Sequence, residues 1–121
     1  MNEKRREKRF KTQQNVWCEG QDARQQAQSL DISRNGMALV TGEAAEVGSR
    51  LKVSFAVPEG GDVAVDMEVV WREERPAGQR MAMGLRVIEF KKGKEAFDRF
   101  VAKHLDERNS IPVRDKDKEK P

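Results

Sequence analysis

From Leu51 to Arg72 the sequence changes character at almost every residue. Leu51, Val53, Phe55 and Val57 alternate with Lys52, Ser54 and Ala56. A turn signal, Pro58-Glu59-Gly60-Gly61-Asp62, comes next. Val63, Val65, Met67, Val69 and Trp71 then alternate with Asp66, Glu68 and Arg72. A period of two is the signature of a strand with one buried face, and a helix cannot gather residues so spaced onto one side. Two such runs joined by a Pro/Gly turn are antiparallel neighbours, so the chain must build a sheet.

The remaining segments fit around this pair. Val16-Trp17-Cys18 reads as a short first strand and Gly20-Gln21-Asp22 as a turn. Ala23–Ile32 is a polar second strand, placed by its position ahead of the turn near Asp31, because Gln and Ala are poor strand formers. Met37–Val40 is a third, Glu43–Gly48 a loop or short helical turn, and Met81–Glu89 a sixth strand after the break at Pro76-Ala77-Gly78. Six short strands favour a small closed barrel or sandwich. Lys94–Arg108 is a helix whose Phe97, Phe100, Val101, His104 and Leu105 share one face, spaced to cover an end of that barrel. His104, at the edge of the face, reads as a packing or capping residue. The expected fold is mainly β, a six-stranded antiparallel barrel closed by a C-terminal helix.

Length and composition allow one domain. The chain has 121 residues, 37% charged and 36% hydrophobic, and a net charge of +3. That charge is too small to argue for nucleic acid. No apolar run approaches the roughly 20 residues of a membrane span, and the charged start is not a secretory signal. With one cysteine, Cys18, there is no disulfide framework, which fits a reducing cytoplasm. One histidine and one cysteine do not make a zinc site. There is no histidine–nucleophile pair and no Walker A loop, so an enzyme is not expected.

The positive charge is concentrated at the head. Residues 1–11 hold Lys4, Arg5, Arg6, Lys8, Arg9 and Lys11 against Glu3 and Glu7. With nothing apolar between Met1 and Phe10, residues 1–11 read as a flexible basic arm, 12–108 as the barrel with its helix, and 109–121 as a disordered charged tail. Downstream, Asp31-Ile32-Ser33-Arg34-Asn35-Gly36 is the other unusual stretch. Asp31 and Ser33, two apart in a strand, point to one exposed face, while Ile32 points into the core. Asn35-Gly36 signals a hairpin whose residues accept positive φ. A carboxylate beside a hydroxyl and a tight turn suits a flat group with N–H donors, such as the edge of guanine. It also suits an Asx turn in which both side chains merely cap local backbone.

Arg5 and Arg9 form R-x-x-x-R ahead of Phe10; Asp31, Ser33 and Gly36 form D-x-S-x-x-G at the end of the second strand. In this order the two resemble the signature of the PilZ domain, the bacterial receptor domain for cyclic di-GMP. Val69-Val70-Trp71-Arg72, Met83-Gly84-Leu85-Arg86-Val87 and the closing helix also look like the family, over roughly residues 4–108. The resemblance implies that Arg5 and Arg9 clamp phosphate and stack on guanine. It implies that Asp31 and Ser33 bond the guanine edge, and that Gly36 permits the turn. Lys4, just before the first motif, and Arg6 and Arg34, inside the two motifs, are further candidate contacts. Trp71 ends an alternating apolar face, which places it in the core; the resemblance implies that Trp71 and Arg72 can line the ligand surface instead. Trp17 reads as packing or surface. The resemblance also implies that the residue before R-x-x-x-R bears on whether one ligand or an intercalated pair is held, and Lys4, a cation, leans toward the pair. The implied protein is a cytoplasmic monomer or weak dimer that signals through an unidentified downstream protein as the arm closes over the ligand. Two alternatives stand beside it. One is a single-stranded nucleic-acid module, disfavoured because most of the five Phe and two Trp read as core. The other is a nucleotide-blind PilZ-like interaction domain, disfavoured because both motifs are present.

Overall fold

The computed structural model describes residues 8–20, 24–58, 60–74, 76 and 79–110, the last five without their side chains. Residues 1–7, with Lys4, Arg5 and Arg6, and the tail from 111 onward lie outside the described residues, as does most of the break at 76–78. The strands are β1 Arg9–Lys11, β2 Asn15–Glu19, β3 Arg24–Ser33, β4 Gly36–Thr41, β5 Arg50–Val57, β6 Gly61–Glu73 and β7 Met81–Lys92; the helix is α1 Lys94–Ser110.

All pairings are antiparallel, in the order β1-β3-β2-β5-β6-β7-β4, with β4 returning to β3. Strands β2 to β7 therefore close a six-stranded barrel, as the alternation predicts. The barrel interior is lined by Val16, Ile32, Leu39, Val53, Val65, Met67 and Met83, all fully buried. Helix α1 seals one end. Phe97 meets Phe55 and Phe90 at ring-centroid distances of 6.1 and 5.2 Å. Phe100 meets Phe10 edge-on at 5.7 Å. His104 stacks on Phe10 at 4.7 Å, with Nδ1 3.0 Å from the Phe100 carbonyl, so the histidine packs as expected. Among the described residues no helix is long and apolar enough to cross a membrane.

The end of the basic arm departs from expectation. Arg9–Lys11 is not a loose segment but strand β1, with Arg9 opposite Ser33, Phe10 opposite Ile32 and Lys11 opposite Asp31. The reason is Phe10, only 2% exposed, which enters the core among Ile32 and the helix aromatics. Strands β1 and β2 share one edge of β3, interrupted at Thr12–Gln14. Ser29, fully buried, staples the interruption: its hydroxyl donates to the Thr12 carbonyl (2.7 Å) and accepts from the Gln14 amide (2.9 Å).

Two register shifts set the outer surface. In β3, Ser29 faces Leu39 but Asp31 faces Ala38, so Leu30 is an extra residue. In β6, Val69 faces Leu85 but Trp71 faces Gly84, so Val70 is another. An inserted residue restarts the in/out alternation. Trp71 is thereby turned out of the core, 43% exposed, which corrects its placement on the inner face. Trp17 is also exposed, under the Arg24 guanidinium at 4.0 Å, so the tryptophans are surface residues while Phe10, Phe55, Phe97 and Phe100 are buried.

Candidate functional site

The outer surface of β3, β4 and β7 is assembled from two cross-strand rows. Directly opposed residues of antiparallel strands share a face. One row runs Arg9, Ser33, Gly36, Arg86, Glu68 across β1, β3, β4, β7 and β6. The next runs Lys11, Asp31, Ala38, Gly84, Trp71 across the same strands. Ser33, Gly36, Ala38 and Gly84 give a floor of very small side chains. Strand β1 walls it with cations on one side, and Trp71, Arg86 and Glu68 wall it on the other.

The two sequence motifs meet here. Arg9 Nε and Nη2 each lie 2.8 Å from the same Asp31 oxygen, although the residues are 22 apart in the chain. Both side chains are partly exposed, at 40% and 32%. Ser33 behaves differently from expectation. It is fully buried, and its hydroxyl donates to the Gly36 carbonyl at 3.3 Å. The exposed Asp/Ser pair is corrected accordingly: Asp31 faces outward to Arg9, whereas Ser33 holds its own hairpin, as a local capping residue does.

Gly36 is also needed for another reason than the one expected. The hairpin turn is Arg34–Asn35, and Gly36 is already in β4, opposite Ser33. It is not among the glycines with positive φ. A Cβ at Gly36 would instead run into the Leu85 carbonyl oxygen and come within 3.2 Å of the Arg86 Cα. The glycine lets β4 lie close on β7 at the head of the floor, where Val87 donates its amide to the Asn35 carbonyl at 2.7 Å.

The remaining candidates divide. Arg34 is exposed at the tip of the hairpin, beside the floor. Trp71 lies with its indole over Gly84 and forms a wall of the site. Arg72 does not join it. It stands opposite fully buried Met83, on the other side of β6 from Trp71. Its guanidinium pairs with Glu46 at 3.3 Å and Glu74 at 2.9 Å. Its Nε is buried with no hydrogen-bond partner. Sequence reasoning missed Ala38, Gly84, Arg86 and Glu68. The alternation in Met83-Gly84-Leu85-Arg86-Val87 puts Gly84 and Arg86 on the outward face, and that from Val63 to Trp71 does the same for Glu68. Among the described residues no group of His, Cys, Asp and Glu is arranged to hold a metal ion.

The described chain is thus a closed barrel capped by a helix, with a small-residue floor walled by cations and an aromatic. The PilZ domain family model matches residues 3–103, and the chain belongs to that family. Among solved structures, the fold is similar to the Bacillus subtilis inhibitor of motility MotI/DgrA, with 20% identity and a TM-score of 0.68 over 88% of this chain and 54% of that one. It is similar to the PilZ domain of Escherichia coli YcgR with c-di-GMP, with 14% identity and a TM-score of 0.65 over 91% of this chain and 100% of that one. The K. pneumoniae MrkH–c-di-GMP complex matches with 20% identity and a TM-score of 0.57 over 96% of this chain and 57% of the other. The chain thus spans about half the length of MotI/DgrA and of MrkH. Among curated proteins none matches the sequence.

Proposed function

We propose that this chain is a cyclic di-GMP receptor domain whose ligand lies on the floor between β1 and Trp71. The observation that carries the reading is the pairing of Arg9 with Asp31. A guanidinium presents neighbouring N–H donors in one plane, and so does the Watson–Crick edge of guanine, through N1–H and the N2 amine. Arg9 occupies one oxygen of the carboxylate that the base would take. Binding is then an exchange. Guanine takes Asp31, and Arg9, together with Arg5, turns to the phosphates or stacks on the purine face. Ser33 and Gly36 contribute by holding the hairpin and keeping the floor low. The solved complexes of YcgR and MrkH with this nucleotide support the choice of ligand.

In this reading residues 1–8 form the arm that closes over the nucleotide, and the closed surface is read by a downstream protein in the cytoplasm. The domain binds and does not catalyse. Lys4, next to Arg5, adds charge suited to an intercalated pair of ligands with four phosphate charges. Isothermal titration with cyclic di-GMP at two salt concentrations, with cyclic di-AMP as control, tests the proposal. Selective, salt-sensitive binding is the expected result, with two ligands per chain. Absence of binding at high micromolar ligand overturns the receptor reading, and a ratio of one overturns the pair.

A further inference from the structure

We propose that Arg86 is a second phosphate anchor, reaching the ligand from the wall opposite Arg9. The inference rests on the receptor reading above and adds a residue that neither sequence motif contains. Three features carry it. Arg86 stands directly across β4 from Gly36, and Gly36 directly across from Ser33, so one row links Arg9 to Arg86. Between these two guanidinium-bearing positions, about 14 Å apart at three strand spacings, the row contains one buried serine and one glycine. Nothing in the row rises between them, and a small dianion lying on the floor is bracketed by cations on both sides.

The second feature is the state of Arg86 itself. Its side chain is 59% exposed and its Nη2 pairs with Glu68, the residue directly across β7–β6. Glu68, 28% exposed, stands on the wall, so the ion pair holds the guanidinium beside the floor. An exposed pair of this kind is weakly held, and a phosphate with two acceptor oxygens in the fork geometry of arginine can replace the carboxylate. Glu68 is thus a positioning residue and Arg86 a binding one.

The third feature is the tryptophan wall. Trp71, one row along from Glu68, covers Gly84, the outward residue of β7 next to Arg86. With Gly84 covered by the indole, the outward position next to it on β7 that carries a cation is Arg86, in the same row as Gly36.

The test is titration calorimetry of the full chain with cyclic di-GMP at low and high salt, comparing wild type with Arg86→Ala, Arg86→Lys, Glu68→Gln and Lys52→Ala. Lys52 is an exposed lysine of β5 outside the floor and removes an equal charge. Loss of a charge-assisted contact is expected to weaken Arg86→Ala by about tenfold or more and flatten its salt dependence. Arg86→Lys should recover part of the affinity, Glu68→Gln should leave the salt dependence in place, and Lys52→Ala should bind like wild type. Thermal melts of each variant separate lost contact from lost fold. If wild type binds and folded Arg86→Ala and Arg86→Lys match it in affinity and salt dependence, the anchor is overturned while the receptor reading stands. If Lys52→Ala weakens binding as much as Arg86→Ala, general charge explains the effect and the anchor is likewise overturned. If wild type fails to bind, the receptor reading fails, and the anchor with it.

Discussion

The indole of Trp71 lies across Gly84, so close that a Cβ on the glycine would come within 2.7 Å of Cδ1 and nearer still to Nε1 and Cε2. The contact fixes an exposed aromatic in one pose beside the floor. Gly84→Ala must therefore displace the ring or the strand. Overpacking of this kind costs about 1–3 kcal/mol. The check is a denaturant melt of Gly84→Ala in a Trp17→Phe background, where Trp71 is the sole indole. Its emission should shift as the ring leaves its seat, and an unshifted spectrum with unchanged stability would show that the ring is not held by the glycine.

Arg9 and Asp31 should separate binding from folding. Their ion pair is partly exposed and contributes under about 1 kcal/mol to stability. As ligand contacts, each is expected to be worth about 2 kcal/mol or more. Arg9→Ala and Asp31→Ala should thus melt close to wild type yet bind cyclic di-GMP some thirtyfold or more weaker, a comparison of melting and titration on the same samples.

Ser29 gives the opposite pattern. Its buried hydroxyl serves the Thr12 carbonyl and the Gln14 amide at once. Ser29→Ala leaves both groups short of that partner in a part-buried site, at a cost of about 1–3 kcal/mol. Hydrogen exchange should show the amides of β1 opening first, since the staple is what joins β1 to β2. A variant as stable as wild type, with β1 equally protected, would contradict this role.

Cys18 predicts a pH dependence. Burial in the core pushes its thiol from 9.0 up to about 12. The folded state keeps the proton that the unfolded chain gives up, so the contribution is complete below pH 9.0 and lost as pH rises toward about 12. The loss runs at about 1.4 kcal/mol per pH unit. Urea melts at about pH 8 and about pH 11 should show it in wild type and not in Cys18→Ala, measured against the same background titration of lysines. Equal slopes in the two proteins would remove Cys18 as the cause.

The barrel was legible because its strands have one wet face, and hydrophobic alternation reports that directly, as in Leu51 to Val57. The helix was legible for the same reason at a different period. The errors have separate physical origins. Leu30 and Val70 each insert one residue into a strand, and nothing in their chemistry announces the insertion; the pleat resumes with opposite sense, and Trp71 leaves the core. Strand β1 was hidden because its sole apolar residue, Phe10, lies in a charged run, and the partners that bury it are distant in sequence. Ser33 escapes the pattern because pointing outward does not ensure exposure: this side chain is covered despite lying on the outer face. Arg86 and Glu68 were out of reach because their position depends on which residue of β7 stands against Gly36, a long-range register. The meeting of Arg9 with Asp31, by contrast, was approachable through the paired motifs.

Gly36 has a consequence for reading related chains. Its lack of a side chain serves the approach of β4 to the Leu85 carbonyl, a requirement of the barrel whether or not anything is bound. A glycine at this position is therefore a marker of architecture. A sequence that loses the arginines and the aspartate can retain it for the sake of folding alone, and a search weighted on it would collect empty barrels together with receptors. On the proposed reading, the charged residues on either side of the floor are the ones that sort the two.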